Sequence, residues 1–147
     1  MMSAILLSRS YRLTYADCDP AGIVFFASYY PFMERTYAEW LLQIDVRADQ
    51  MPEVLGITTV SRASGCEYFS PGLLYDAFRV DMSCTGIGNS SFTFSYDFVR
   101  EDEVLLSRGY MAMVCLDPTS RRPVPIPARW QELIDPQRLL GAQVARA

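Results

Sequence analysis

The sequence predicts an α+β domain in which one long helix packs against an antiparallel sheet. Apolar side chains recur every three to four positions over about residues 27–44, which is typical of a helix with one buried face. Most of the later chain is strand-like, and its last three strand-like segments follow one another through short turns, which favours antiparallel pairing. One helix covers only one face of such a sheet, so we also expect an oligomer that buries the remaining apolar surface.

The first elements are a strand, a turn and the long helix. Residues 9–16 alternate in part between polar and apolar side chains and predict the strand. Pro20 and Gly22 are turn formers and end it. The predicted apolar face of the helix consists of Tyr29, Phe32, Met33, Tyr37, Trp40, Leu41 and Ile44.

The remaining segments are predicted as a sheet closed by a short helix. Residues 47–53 form a polar connection. Strands follow near residues 57–69, 75–86, 91–100 and 104–116. The proline-rich residues 118–127 stop the sheet, because proline cannot donate to a ladder, and residues 128–134 form the last helix. We expect a single domain over residues 1–135 and a tail over residues 136–147.

Composition excludes several classes of function. Half of the 147 residues are hydrophobic and the net charge is −4, as in a soluble globular protein without the basic face that nucleic acid requires. No segment is long and apolar enough to span a membrane. The four cysteines are widely spaced and histidine is absent, so we expect free thiols, no metal site and a reducing, cytoplasmic setting.

The absence of histidine narrows the possible chemistry. Acid–base or nucleophilic catalysis must then use a carboxylate, a cysteine, a tyrosine or backbone dipoles. Residues 17–22 read Asp-Cys-Asp-Pro-Ala-Gly and place two carboxylates just before the long helix, whose first N–H groups are free. The pattern fits a hydrolytic site, but Asp17 and Asp19 equally fit turn formation and helix capping.

A family resemblance favours a hydrolytic site, rather than turn formation or capping, for one of the two aspartates. The residues that show this resemblance to a known family are residues 17–24, Tyr29, the helix with Glu34, the run Tyr68-Phe69-Ser70-Pro71, Asp76 and residues 88–92. From about Arg12 to Ile134, the chain resembles the hotdog-fold 4-hydroxybenzoyl-CoA thioesterase family, which includes the YbgC-type acyl-CoA thioesterases.

The resemblance implies a fold, an activity and an assembly. The fold is a curved antiparallel sheet wrapped around the long helix, and the active sites lie at the interface of a homodimer that commonly pairs into a homotetramer. Asp19 is the catalytic carboxylate of an acyl-CoA thioesterase, as nucleophile or general base, and Asp17 is structural. The Phe26 backbone N–H is the oxyanion donor, and no cofactor is required.

The resemblance also implies a set of substrate-binding residues. They are Ile57, Thr58, Thr59, Asn89, Ser90 and Ser91. Gly22 is a further substrate-binding candidate, because a glycine permits close approach of the backbone to the ligand, although it equally fits a positive-φ turn. Residues 57–59 fit ordinary strand positions equally well, and residues 86–91 fit a plain hairpin turn. Glu34 is expected to be a supporting or surface residue, Glu67 to face outward, and Cys18 to be an inert thiol.

Two alternative functions stay open. Residues 86–91 contain no lysine or arginine to meet the phosphates of CoA, which favours an acyl group carried on an acyl carrier protein. The other alternative is a non-catalytic module that binds acyl thioesters. The acyl group itself is expected to be aromatic or a short or medium aliphatic chain.

Overall fold

The computed structural model describes residues 4–135 and confirms the α+β prediction. The strands are β1 Ile5–Arg12, β2 Thr58–Tyr68, β3 Ala77–Ile87, β4 Ser91–Arg100 and β5 Leu105–Leu116. The helices are α1 Tyr29–Gln43, α2 Met51–Leu55 and α3 Ala128–Ile134, with short 3-10 turns at Tyr15–Asp17, Phe26–Ser28 and Ala48–Gln50. All strand pairs are antiparallel, in the order β1-β3-β4-β5-β2.

The core lies between α1 and one face of the sheet. β3 and β4 alternate between buried and half-buried residues, as expected for strands with one covered face. The buried side chains of β4 are mainly aromatic: Phe92, Phe94, Tyr96 and Phe98. A side chain at Gly109 of β5 would overlap Met33 of α1 and crowd Cys66, so this glycine lets α1 approach the sheet closely.

The predicted helix is confirmed with small changes at its ends. α1 spans Tyr29–Gln43, and the Phe26–Ser28 turn precedes it. The predicted apolar side chains up to Leu41 are buried, whereas Ile44 caps the helix and is half-buried. Thr36 also lies on the buried face, where its hydroxyl has a partner because it donates to the Phe32 carbonyl at 2.7 Å.

Two local predictions were wrong. The first strand covers Ile5–Arg12 rather than residues 9–16, because the chain turns at Tyr15–Asp17 once its pairing with β3 ends at Ala77. The polar connection over residues 47–53 instead contains the 3-10 turn and the start of α2. Tertiary burial of Met51 outweighs the polar composition there. Residues 136–147 lie outside the described residues, so the tail and the boundary at 135 stay predictions.

The sheet has two ends with different roles. At one end, here called the loop end, β1, β2 and β4 finish and β3 and β5 begin. The other end is called the hairpin end. It contains the starts of β2 and β4 and the turn between β3 and β4. Over residues 4–135, no helix has the length and apolar character required to span a membrane.

Candidate active site

The segment between β1 and α1 begins with a capped turn. Thr14 donates to Asp17 Oδ2 from its backbone N–H at 2.9 Å and from its hydroxyl at 3.2 Å. These bonds close a capping box around the Tyr15–Asp17 turn. Asp17 Oδ2 therefore holds the turn, while Asp17 Oδ1 has no partner among the described residues.

Asp19 lies in the following tight turn, at the loop end of the sheet. Its Oδ1 accepts the Ala21 N–H at 2.8 Å, and its own N–H donates to the Ile23 carbonyl at 2.9 Å. Gly22 closes the turn with a φ of +79°, a left-handed conformation that glycine adopts without strain. Within residues 4–135, Asp19 Oδ2 has no hydrogen-bond or ion-pair partner. The turn thus holds a half-buried carboxylate with one oxygen free to accept a proton or attack.

The Asp19 turn is docked on the connection between β2 and β3. The Val24 N–H donates to the Gly72 carbonyl at 2.9 Å, and the Leu74 N–H donates to the Gly22 carbonyl at 3.2 Å. Gly72 is buried, and a side chain there would come within 2.8 Å of Leu13. These contacts fix the turn relative to the sheet.

The start of the long helix supplies free backbone donors. The Phe25 N–H bonds the Asp17 carbonyl at 2.9 Å, and the Ser28 N–H bonds the Phe25 carbonyl at 2.8 Å. Between them, the N–H groups of Phe26 and Ala27 have no acceptor among the described residues. Free N–H groups at a helix start carry partial positive charge and favour an anion.

A cavity of about 290 Å³ opens beside this helix start. Its walls are mostly aromatic or apolar: Ile23, Val24, Phe26, Tyr29, Tyr68, Phe69, Ser70 and Pro71. The Tyr68 hydroxyl donates to the Phe26 carbonyl at 2.9 Å, which links the wall from the end of β2 to the wall from the helix start. Asp19 does not line this cavity, but its N–H is bonded to Ile23, which does.

The sequence model of the thioesterase-like superfamily matches residues 13–134, which include all of these features. The chain belongs to the thioesterase-like superfamily. This membership confirms the predicted hotdog fold and the prediction of a thioester hydrolase.

Several named proteins are similar to this thioesterase. An acyl-CoA thioester hydrolase, YbgC, from Escherichia coli is 29% identical over 126 residues, covering 86% of this chain and 93% of that protein. A 1,4-dihydroxy-2-naphthoyl-CoA hydrolase from Microcystis aeruginosa is 26% identical, covering 79% and 84%. The crystal structure of a 1,4-dihydroxy-2-naphthoyl-CoA thioesterase from Synechocystis superposes with a TM-score of 0.75 at 24% identity, covering 86% and 95%.

Two tyrosines and one cysteine around the candidate site have raised pKa values. Burial raises the pKa of Tyr29 to about 12, so its phenol is neutral at physiological pH. Burial also raises the pKa of Tyr68. For Cys18, burial and then the charges of Asp17 and Asp19 raise the thiol pKa. A raised pKa leaves little thiolate, so Cys18 is a poor nucleophile.

The structure divides the predicted site residues of this thioesterase into two groups. Gly22, Asp19 and Phe26 lie together at the loop end. The predicted substrate-binding residues of the second group lie at the hairpin end: Ile57, Thr58, Thr59, Asn89, Ser90 and Ser91. The 11 residues of β2 span roughly 35 Å at the usual rise per residue, so a single subunit does not bring the groups together.

Individual residues of the second group have structural contacts. Ile57 is 3% exposed and belongs to the hydrophobic core. The Thr59 hydroxyl lies 3.4 Å from the Tyr37 hydroxyl. The backbone carbonyls of Asn89 and Ser90 accept hydrogen bonds from Ile126 and Cys115, at 2.8 Å each.

Sequence reasoning missed the cavity wall at the end of β2. Tyr68 and Phe69 were part of the resemblance but were assigned no role, although two adjacent aromatic residues before a Ser-Pro-Gly turn are an available signal. Glu34 and Glu67 are both exposed, and neither lines the cavity. No cluster of side chains in residues 4–135 is arranged to hold a metal ion.

Proposed function

We propose that this thioesterase hydrolyses acyl-CoA thioesters with Asp19 as the catalytic carboxylate and the Phe26 N–H as an oxyanion donor. One observation carries the proposal: the turn that holds Asp19 with a free carboxylate oxygen runs into a helix start with free N–H groups, beside an apolar cavity. The similarity to curated acyl-CoA and naphthoyl-CoA hydrolases supports the CoA thioester as substrate.

Hydrolysis needs little more than these groups, because a thioester has an electrophilic carbonyl and a good leaving group. As general base, Asp19 takes a proton from water while the oxygen of that water adds to the carbonyl carbon. The resulting oxyanion is stabilised by the helix-start donors. The C–S bond then breaks, the acid is released and the CoA thiolate takes up a proton. As nucleophile, Asp19 instead forms an anhydride that water hydrolyses.

The cavity supports an aromatic or a short to medium acyl group. Its volume of about 290 Å³ is at the small end of the range for ligand pockets. Phe26, Tyr29, Tyr68 and Phe69 contribute rings on which a flat acyl group can stack. The naphthoyl-CoA substrates named for two similar proteins agree with this chemistry.

We further propose that the complete site forms between two subunits. β2 is an edge strand, so one side of its backbone is unpaired, and Val60 and Tyr68 on it are 39% and 49% exposed. Antiparallel pairing of β2 with its copy places the start of one strand beside the end of the other. The hairpin-end residues of one subunit then meet Asp19 of its partner. Two such dimers make the proposed homotetramer.

Mixing inactive variants tests the shared site. Asp19→Asn removes the carboxylate, and Asn89→Trp blocks the hairpin end without touching the core. When the two variants are mixed 1:1, unfolded and refolded together, half of the dimers are heterodimers. Each heterodimer has one intact site of its two, so about a quarter of wild-type activity should return. Activity no higher than the sum of the separate variants, or full activity of Asn89→Trp alone, contradicts the shared site.

The central test measures thiol release from a panel of aliphatic and aromatic acyl-CoAs. Asp19→Asn should lower kcat by about 100-fold or more, the scale of general acid–base catalysis, and leave the Kd for acyl-CoA within a few-fold. Asp45→Asn is a matched control, because Asp45 is exposed at the opposite end of α1. Normal turnover by Asp19→Asn overturns the assignment.

An acyl carrier protein is the second candidate carrier. The supporting observation is the absence of lysine and arginine from residues 86–91 at the hairpin end. The same acyl group presented on CoA and on a carrier protein separates the two candidates, since faster turnover on CoA removes the second. Stoichiometric binding without thiol release would instead establish a non-catalytic module.

Four free thiols suit the reducing cytoplasm, where we propose the enzyme acts.

A further inference from the structure

We propose that Tyr68 is a positioning residue that orients the peptide group between Phe26 and Ala27, so that the Ala27 N–H joins the Phe26 N–H as a donor to the oxyanion. This inference rests on the proposed function and deepens it. Tyr68 does not contact the reacting atoms; it acts through the backbone of the helix start.

The geometry begins with one hydrogen bond between distant parts of the chain. The Tyr68 hydroxyl donates to the Phe26 carbonyl at 2.9 Å. This carbonyl and the Ala27 N–H belong to the same planar peptide group and point in opposite directions. Fixing the oxygen therefore fixes the direction of the N–H. A hydrogen bond to the carbonyl also polarises the peptide and strengthens its N–H as a donor.

The Ala27 N–H is available for this role. It has no acceptor among residues 4–135, and neither does the Phe26 N–H. The next N–H along the chain, that of Ser28, is already bonded to Phe25 at 2.8 Å. Two adjacent free donors at the start of a helix form a site at which negative charge is stabilised.

Tyr68 is itself held in place. It is the last residue of β2 and pairs with Ser107 of β5. Its ring lies 5.5 Å from the ring of Tyr29, which is 4% exposed and packs edge-on against Phe98 at 4.9 Å. The sheet and this aromatic stack therefore set the position of the hydroxyl. Because Tyr68 and Phe26 line the same cavity, the hydrogen bond borders the space where the acyl group would bind.

The test uses Tyr68→Phe, which keeps the ring and removes only the hydroxyl. Since a neutral hydrogen bond contributes about 1 kcal/mol, kcat and kcat/KM should fall together by about 5- to 10-fold, with KM unchanged. Tyr15→Phe is the control, because the Tyr15 side chain is 76% exposed and its hydroxyl has no hydrogen bond among the described residues. We expect wild-type kinetics from the control.

A second measurement separates positioning from a structural role. In an Asp19→Asn background, adding Tyr68→Phe should leave the Kd of an acyl-CoA unchanged, because the peptide donors act on the oxyanion and not on the bound substrate. A kcat within two-fold of wild type overturns the inference. So does an equal loss in Tyr15→Phe, or a weaker Kd with unchanged kcat.

Failure of this inference is distinct from failure of the proposed function. If Asp19→Asn is inactive and Tyr68→Phe has wild-type kcat, only the role of Tyr68 is lost. If Asp19→Asn is fully active, the proposed mechanism is overturned, and the inference that rests on it with it.

Discussion

Asp17 and Asp19 lie two positions apart, yet their carboxylates have different partners. Asp17 Oδ2 accepts two hydrogen bonds from Thr14, at 2.9 and 3.2 Å. Asp19 Oδ1 accepts one from Ala21 at 2.8 Å, and its other oxygen has no partner among the described residues. Each carboxylate therefore keeps one oxygen without a partner among the described residues, but Asp17 is tied by two bonds to Thr14 across the capped turn, whereas Asp19 makes a single bond within the tight turn that leads to the helix start.

Asp17→Ala should lower stability more than it lowers intrinsic activity. The substitution opens the capping box, and loss of a cap costs about 1 kcal/mol. Urea unfolding checks the free energy, and kcat at a temperature where the variant is folded checks the activity. Glu34→Ala, an exposed position on α1, is the control and should change stability little. An unchanged urea midpoint in Asp17→Ala would show that the capping box does not contribute.

Gly22→Ala should lower stability and kcat through backbone strain alone in the turn that holds Asp19. A side chain at Gly22 would meet no atom within 4 Å, but its φ of +79° costs a residue with a Cβ about 1–2 kcal/mol. We expect a loss of that size in unfolding free energy and a lower kcat, because the Asp19 turn shifts. Gly22→Asn should retain more stability than Gly22→Ala, since asparagine tolerates this conformation. Equal stability of the two variants contradicts the strain explanation.

Cys18 should be unreactive at neutral pH and dispensable for hydrolysis. Its thiol pKa is raised by burial and by the neighbouring charges of Asp17 and Asp19. Cys18→Ser should therefore keep kcat within about two-fold, since the reaction needs no thiolate. Removing the negative charge at Asp19 stabilises the thiolate, so Asp19→Asn should speed alkylation of Cys18 by iodoacetamide, as mass spectrometry of the labelled peptide would show. Slower alkylation in Asp19→Asn would contradict this electrostatic coupling.

The ion pair between Arg79 and Glu103 should make the free energy of unfolding depend on pH in the acidic range. Its guanidinium binds both oxygens of Glu103, at 2.7 and 2.9 Å, and holds the pKa of that carboxyl below its usual value. A carboxyl with a lowered folded pKa contributes stability above its unfolded pKa of about 4.3, and the contribution is lost as the pH falls through the folded pKa. The stability difference between wild type and Arg79→Gln should therefore shrink from pH 7 to pH 3. Urea midpoints across this range measure it, and a constant difference would refute the linkage.

The local elements were predictable because their signals are local. The spacing of apolar side chains from Tyr29 to Leu41 specifies the helix and its buried face without knowledge of the partner surface. The strand boundaries followed from turn residues, and most agree with the structure to within two residues. Residues 17–22 marked the candidate site, because an aspartate, proline and glycine turn before a helix is a local arrangement. The first strand was predicted at residues 9–16 instead of Ile5–Arg12, and α2 was not predicted, since its formation depends on burial of Met51.

The tertiary structure alone decided which parts of the chain meet. The sequence by itself determined the α+β class, the long helix and the aspartate turn, because period, capping and turn formation act over a few residues. It could not place β2 at the sheet edge, Ile57 in the core or the start of β2 at the hairpin end, because strand order depends on pairing between distant segments. The bond from Tyr68 to Phe26 spans 42 residues, and no local pattern encodes such a contact.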